Sequence, residues 1–152
     1  MRIVKADTTD LSTVRELTHL TIFLIYRHYY PAGAVEYFMN HHSEERISDD
    51  IQSGNVYLCL SDSGEAVGTV TVSGNEISRL FVMYSEQGQG YGRALLDFAE
   101  ELIAQQYDTA VLASSLPAKA IYKKRGYIES SFNTIKTDDD FLCYDMMTKK
   151  LK

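Results

Sequence analysis

The sequence predicts one α/β domain, in which a mixed and mostly antiparallel sheet carries helices on both faces. Strand-like and helix-like runs follow the order β, helices, βββ, α, β, α, ββ. Three consecutive strands followed by strand–helix alternation are typical of a mixed sheet rather than a regular parallel array. The 152 residues contain no repeat, linker or break in composition, so residues 1–152 are expected to form a single domain.

The N-terminal part is expected to be a strand followed by helices. Arg2–Lys5 is typical of a short strand, and Asp7–Asp10 offers N-cap residues for a helix. From residue 11 to residue 26, apolar side chains recur at helical spacing: Val14, Leu17, Leu20, Phe23 and Leu24. Pro31 ends that helix. Two shorter helices follow, one around residues 35–39 and one over Ser43–Ile51.

Strands and two further helices make up the rest of the chain. The predicted strands are Asn55–Leu60, Ala66–Val72, Glu76–Val82, Thr109–Ala113, Tyr127–Lys136 and Phe141–Lys149. An amphipathic helix follows the third strand of this group, and its buried face is predicted to contain Leu95, Leu96, Ala99, Leu102 and Ile103. A last helix is predicted over Leu116–Arg125, with Pro117 in its first turn and Gly126 after its end.

Composition limits the partners and the location. The net charge of −6 repels phosphate backbones, so a nucleic-acid partner is not expected, whereas a cationic amine is attracted. Cys59 and Cys143 lie in apolar runs and are expected to be reduced, and no spacing suggests a metal site. Neither a signal-peptide pattern nor an apolar run of membrane-spanning length is present, so a cytoplasmic protein without a membrane partner is expected.

The most informative segment is Gln87–Gly92 (QGQGYG), between a predicted strand and a predicted helix. Its glycines allow tight turns and close approach to a ligand. The first N–H groups of the helix, together with the helix dipole, suit a pyrophosphate. The spacing excludes a P-loop, which needs a Lys followed by Ser or Thr, and it departs from the dinucleotide fingerprint G-x-G-x-x-G. A glycine-rich turn without a ligand stays the alternative.

Gln87–Gly92 resembles the signature [RQ]-x-x-G-x-[GA] of the GNAT superfamily of N-acetyltransferases. Leu80–Val82 resembles the bulged strand that precedes that signature, and Ala118–Tyr127 resembles the second family motif, A-x-x-x-Y-x-x-x-G-[FY]. The order of elements is similar to the family's over the whole chain. The resemblance implies a GNAT-like acyl-CoA N-acyltransferase fold, whose sheet is splayed at the cofactor site, with acetyl-CoA as cosubstrate and no metal.

The resemblance also implies the residues that contact acetyl-CoA. Backbone amides of the glycine-rich loop would hold the pyrophosphate, and the bulged strand would pair with the pantetheine arm. Ser115 stands where the family often has Asn, and a serine can still make one hydrogen bond. The implied cofactor-binding residues are Leu80, Phe81, Val82, Gln87, Gly88, Gln89, Gly90, Tyr91, Gly92, Arg93, Ser115 and Tyr122.

Two residues are candidates for proton transfer. Tyr122 occupies the motif position of the general acid that protonates the departing thiolate, although a tyrosine that only packs its helix on the sheet is the alternative. Glu76 lies eleven residues before Gln87, where histone-type members carry a glutamate that acts as general base. A polar residue at the start of a strand is the alternative for Glu76.

Together these residues predict an N-acetyltransferase that moves acetyl from acetyl-CoA to a primary amine by direct attack in a ternary complex. The acceptor is expected to be a small molecule; Tyr26–Pro31 and His41–Glu45 supply aromatics and carboxylates that could cradle a cation, or are simply packed tyrosines and a solvated helix. The alternatives are a non-catalytic acyl-CoA-binding sensor and a protein or peptide N-acetyltransferase. The resemblance also allows a homodimer, because dimers are common among relatives.

Overall fold

A computed structural model describes the whole chain, Met1–Lys152. The strands are β1 (Arg2–Lys5), β2 (Val56–Leu60), β3 (Ala66–Ser73), β4 (Glu76–Val82), β5 (Thr109–Ser114), β6 (Ile128–Lys136) and β7 (Phe141–Lys150). The helices are α1 (Leu11–Ile25), α2 (Ala32–His41), α3 (Glu44–Gln52), α4 (Tyr91–Ala104) and α5 (Lys119–Lys124). One sheet runs in the order β1-β2-β3-β4-β5-β7-β6, and only the pair β4–β5 is parallel. The predicted mixed, mostly antiparallel sheet is therefore confirmed.

A capping box in the turn Asp7–Asp10 precedes helix α1. The side chain of Asp7 accepts a backbone N–H from the end of this turn, and the side chain of Asp10 accepts the backbone N–H of Asp7. The helix buries Val14, Leu17, Thr18, Thr21 and Ile22. Leu20 and Phe23 are 42% and 54% exposed, although the apolar spacing included them. The buried stripe has the i, i+3, i+4, i+7 spacing of a helix but contains two threonines, which a search for apolar residues alone overlooks.

Helices cover both faces of the sheet. Helix α4 packs against β3, β4 and β5 on one face, and α1 packs against β3 and β4 on the other. On α4 the half-buried Leu102 contributes less to the core than predicted, and Glu100 is buried instead. Glu100 tolerates burial because Arg125, Lys149 and Tyr127 all donate hydrogen bonds to its carboxylate, at 2.7 to 3.0 Å.

Helix α5 is shorter than predicted. It starts at Lys119 rather than at Leu116, because residues 116–118 form a turn in which the N–H groups of Ala118 and Lys119 donate to the carbonyl of Ser115, at 3.2 and 3.1 Å. Pro117 therefore lies in the turn before the helix rather than in its first turn. The turn places the side of α5 that carries Tyr122 over the end of β5.

The sheet opens between β4 and β5, as predicted for the cofactor site. These strands pair only through Glu76 with Val111 and Ile77 with Leu112, although β4 continues to Val82. A bulge bends β4 in the same region, because Thr69 and Thr71 of β3 pair with residues of β4 that are three apart. Past Ile77 the edge of β4 that faces β5 has no strand partner, and a wedge opens there.

The remaining expectations concern cysteines, metals and membranes. Both cysteines are free thiols; Cys59 is buried and Cys143 is half-buried. No group of three or more His, Cys, Asp or Glu side chains is arranged to hold a metal ion in the structure. None of the helices combines the length and apolar composition that crossing a bilayer requires.

Candidate active site

A cleft of about 1910 Å³ begins at the wedge between β4 and β5, and it is lined by every residue predicted to bind acetyl-CoA or to transfer a proton. The glycine-rich loop and the start of α4 line one half, which we call the cofactor half. We call the other half of the cleft the acceptor half. It is lined by the segment that joins α1 to α2, by His41 and His42, and by the β6–β7 hairpin. The turn before α5 and Tyr122 lie between the two halves.

The glycine-rich loop presents free backbone amides to the cofactor half. Gly88 and Gly90 have φ of 81° and 92°, a left-handed conformation that only glycine adopts at little cost. Gly90 is the N-cap of α4 and has no side chain to cap it; its carbonyl accepts the N–H of Ala94 at 3.0 Å. The N–H groups at positions 91–93 therefore have no partner within the helix, and they form a site for an anion.

Charged side chains surround this anion site. Arg93 and Lys124 line the cofactor half, are exposed, and make no ion pair within the protein. Arg125 also lines it, but its guanidinium is held by Glu100 and Asp97. Of the basic cluster 123–125, Lys124 is therefore the residue that is free to meet a phosphate.

The end of β4 turns one backbone donor toward the wedge. The N–H of Met83 donates to the carbonyl of Val67 at 2.9 Å, and Gly68 lies opposite Val82. In an antiparallel ladder this pattern points the N–H and C=O of Val82 away from β3. Its carbonyl accepts the side-chain amide of Gln87 at 3.2 Å, which ties the loop to the strand. The N–H of Val82 is left to polarise an acyl carbonyl in the wedge.

Tyr122 is buried, 7% exposed, and its hydroxyl makes no hydrogen bond within the protein. Its ring packs edge-on against Tyr127 at 5.7 Å between centroids, and the residue lines the cleft. Burial raises the pKa of Tyr122 to about 12, so the phenol is protonated at neutral pH. A protonated and unpartnered phenol on the wall of the cleft can donate to a departing sulfur.

The other predicted residues of the site lie on the same cleft. Glu76, the first residue of β4, is an exposed carboxylate that lines it. Ser115 lines it from the turn before α5. Burial raises the pKa of Tyr26 above its ordinary value, and the side chain of Ser115 acts in the opposite direction.

Aromatic rings form most of the wall of the acceptor half. Tyr26 packs edge-on against Phe38 with 4.7 Å between centroids, and His42 packs edge-on against Phe81 at 5.8 Å. Tyr37 stacks on His41 at 5.8 Å. The aromatic residues expected from the two variable segments are therefore present. The carboxylates expected there, at positions 44 and 45, do not line the cleft.

Sequence reasoning missed Arg79, which lies at the bulge of β4 with φ of 46° and is 7% exposed. Its Nε donates to Nδ1 of His42 at 3.3 Å, and its Nη1 donates to Asp50 at 2.7 Å and to Thr71 at 2.9 Å. A charged residue inside the apolar strand EISRLFV was the signal that could have revealed it. A non-glycine residue at positive φ is uncommon, and such strain is concentrated at functional sites.

Two hydrogen bonds tie together elements that lie around the acceptor half. The hydroxyl of Tyr30 accepts the N–H of Leu116 at 2.6 Å, which joins the segment between α1 and α2 to the turn before α5. The N–H of Gly33 donates to Asp140 at 3.4 Å, which joins the start of α2 to the β6–β7 turn. These bonds hold the segment between α1 and α2 and the start of α2 against the rest of the fold.

Comparison with known proteins identifies the family. A sequence model of the acetyltransferase (GNAT) domain matches residues 25–150. The chain belongs to the GNAT family of acetyltransferases. The GNAT fold predicted from the sequence is thereby confirmed, and the splayed sheet, glycine-rich loop and buried tyrosine described above are parts of that fold in this chain.

Individual relatives are more distant. The peptidyl-lysine N-acetyltransferase YjaB of Salmonella typhimurium is 31% identical over 84 residues, which are 55% of this chain and 57% of that protein. A GCN5-related N-acetyltransferase from Rhodopseudomonas palustris has a similar structure, with a TM-score of 0.89 and 20% identity, over 98% of this chain and 94% of that one. The PaiA N-acetyltransferase of Thermoplasma acidophilum, solved with coenzyme A, has a TM-score of 0.73 and 21% identity, over 98% of both chains.

Proposed function

We propose that this protein transfers the acetyl group of acetyl-CoA to a primary amine. The observation that supports this most is the meeting of three features in one cleft: the free amides at the start of α4, the wedge between β4 and β5, and the hydroxyl of Tyr122. Amides and glycines fit a pyrophosphate, and the wedge admits an extended arm. The PaiA structure was solved with coenzyme A, and its fold is shared by this chain.

The residues of the cleft divide the reaction between them. An amine near its ordinary pKa of about 10 is an ammonium at neutral pH and must lose a proton before it attacks. Glu76, six residues before Val82 on β4, is the proposed base and acts through water, because it is a carboxylate on the cleft wall. The N–H of Val82 polarises the carbonyl while the carbon–nitrogen bond forms and the carbon–sulfur bond breaks.

Tyr122 gives its proton to the departing sulfur. Transfer from a phenol of pKa about 12 to a free thiolate of pKa about 8.5 is uphill. Tyr122 can therefore act only if it is positioned against the sulfur, where its hydrogen bond stabilises the negative charge that develops as the carbon–sulfur bond breaks. The remaining contribution is positional, because one cleft holds the amine and the thioester in attack geometry.

A small amine is the first candidate for the acceptor. Aromatic rings form most of the wall of the acceptor half, and such rings can cradle a small cation. A lysine side chain in a peptide is the second candidate, because YjaB is named a peptidyl-lysine N-acetyltransferase. In that case only the side chain would enter the pocket.

The test is thiol release from acetyl-CoA across a panel of polyamines, aminoglycosides, amino acids and lysine-containing peptides, with a thermal shift under CoA alone. Release with a small-amine class supports the proposal, and release with peptides only favours the second candidate. A thermal shift by CoA without release from any amine would identify an acyl-CoA-binding sensor and contradict the proposed reaction.

A further inference from the structure

The acceptor half of the cleft holds hydrogen-bond donors that acetyl transfer does not use. From these donors we infer that the acceptor amine also carries a carboxylate, which binds between Arg79 and His42. The inference rests on the proposed acetyl transfer, since it concerns the acceptor of that reaction. It narrows the substrate class from primary amines to amino acids.

Arg79 contributes the first donor. Three of its hydrogen bonds are satisfied within the protein, through Nε to His42 and through Nη1 to Asp50 and Thr71. Its Nη2 group has no acceptor in the protein, although the residue is 7% exposed and lines the cleft. A guanidinium donor that is enclosed by protein and unpartnered is suited to a carboxylate oxygen.

His42 contributes the second donor. An arginine nitrogen can only donate, so Nδ1 of His42 must accept from Arg79, and a neutral ring then carries its hydrogen on Nε2. His42 is 9% exposed, lines the cleft, and has no hydrogen-bond acceptor for Nε2 within the protein. Burial and the neighbouring Arg79 lower the pKa of His42 to about 3, so the ring is neutral at physiological pH.

His41 repeats the same arrangement beside it. Nη1 of Arg46 lies 2.9 Å from Nδ1 of His41, so the neutral ring of His41 also carries its hydrogen on Nε2. His41 and His42 therefore offer N–H donors to the cleft and not the lone pairs that a general base requires. This excludes both histidines as the base of the transfer reaction.

The charges around the acceptor half also favour a carboxylate on the acceptor. The protein has a net charge of −6, yet two cationic side chains, Arg27 and Arg79, line this half beside the neutral rings of His41 and His42. The carboxylates that line the cleft are those at positions 76, 86 and 97, and the last two lie beside the glycine-rich loop and on α4. The carboxylate of Asp50 contacts only Nη1 of Arg79 and does not line the cleft, so it leaves Nη2 of Arg79 free.

The position of the donors also bears on the length of the acceptor. Arg79 precedes Val82 by three residues, which is at most about 10 Å of strand. A span of up to this length leaves room for a chain between the amine and the carboxylate of the acceptor. Acceptors of graded chain length, up to 6-aminohexanoate and the side chain of lysine, therefore test how far apart the two groups are held.

The test compares kcat/KM for β-alanine, 4-aminobutyrate, 6-aminohexanoate and lysine with that for their methyl esters, which keep the amine and remove the charge. The wild type is expected to prefer the acids by about 10-fold or more, the size of a hydrogen bond to a charged group. His42→Phe keeps an aromatic ring against Phe81, and it should reduce the preference to about 2-fold. Arg79→Met should do the same. Thr71→Val also removes a bond to Arg79 but no cleft donor, so it should keep the preference.

The outcomes separate this inference from the proposed function. Equal turnover of acids and esters by the wild type would overturn the inference and leave acetyl transfer standing, as would a preference that survives in His42→Phe. If no amine is acetylated, the proposed function fails. The inference is then decided by the thermal shift that 6-acetamidohexanoate and its methyl ester cause in the presence of CoA: a larger shift with the acid, lost in His42→Phe, supports it, and equal shifts overturn it. His42→Phe also decides the matter if Arg79→Met does not fold.

Discussion

Replacing Tyr122 by Phe removes one hydroxyl that makes no hydrogen bond within the protein. Since no internal bond is lost, the free energy of unfolding should change by less than about 0.5 kcal/mol. The chemistry should suffer much more, because a positioned general acid contributes about 10²–10⁴-fold. The corresponding rise in the barrier is about 3–5 kcal/mol. Affinity for CoA should be nearly unchanged, because most of the expected phosphate and pantetheine contacts come from the backbone of the loop and of β4.

The pH profile sharpens this prediction. A pKa of about 12 means that Tyr122 stays protonated from pH 6 to pH 10, so its ionisation cannot cause a loss of rate in that range. Stopped-flow or colorimetric thiol release measures kcat, and calorimetry measures CoA binding. Tyr127→Phe is the matched control, because its hydroxyl donates to Glu100 at 3.0 Å and does not line the cleft. That variant should lose stability but keep kcat. A kcat within about 3-fold of wild type for Tyr122→Phe would refute its role as the acid.

Four further predictions concern other parts of the molecule. Gly90→Val and Gly64→Val both force a side chain into a left-handed conformation, with φ of 92° and 90°. Both variants should therefore lose about 1–2 kcal/mol of stability. Only Gly90→Val should lose CoA binding, measured by calorimetry. Glu76→Gln should lower kcat at least about 10-fold without changing CoA affinity; unchanged kcat would remove Glu76 as the base. Glu100→Gln weakens its contacts with two cations and should lower the unfolding free energy by about 2 kcal/mol in denaturant titrations. Because the pKa of His42 is about 3 in the folded state and about 6.5 when unfolded, protons bind the unfolded chain first. Stability should therefore fall as pH drops from about 6.5 to 3, and less steeply in His42→Phe.

The sequence was most informative where a local backbone requirement determines the residues. Gly88 and Gly90 do have left-handed φ, because the conformation of a glycine is a local property. Tyr122 does lie on the cleft wall, but it was expected there from its place in the second family motif. The splay between β4 and β5 was also expected, but from the resemblance to the family and not from the residues themselves.

The acceptor half was the part that the sequence could not supply. The bond from Arg79 to His42 joins residues 37 positions apart, and its existence depends on how α2 and α3 lie against the sheet. Local patterns do not encode such contacts. For the same reason Glu100 was not predicted as buried: its partners, Arg125 and Lys149, come from other elements, and only the folded chain brings them to α4.

The most direct test of the account is to follow the acetyl group itself. The protein is incubated with acetyl-CoA labelled with ¹³C in the acetyl group and with the amine panel, and the products are analysed by mass spectrometry. The account predicts a labelled amide on a primary amine, formed far more slowly by Tyr122→Phe although that variant still binds CoA. Thermal stabilisation by CoA with no labelled amide from any amine would contradict it.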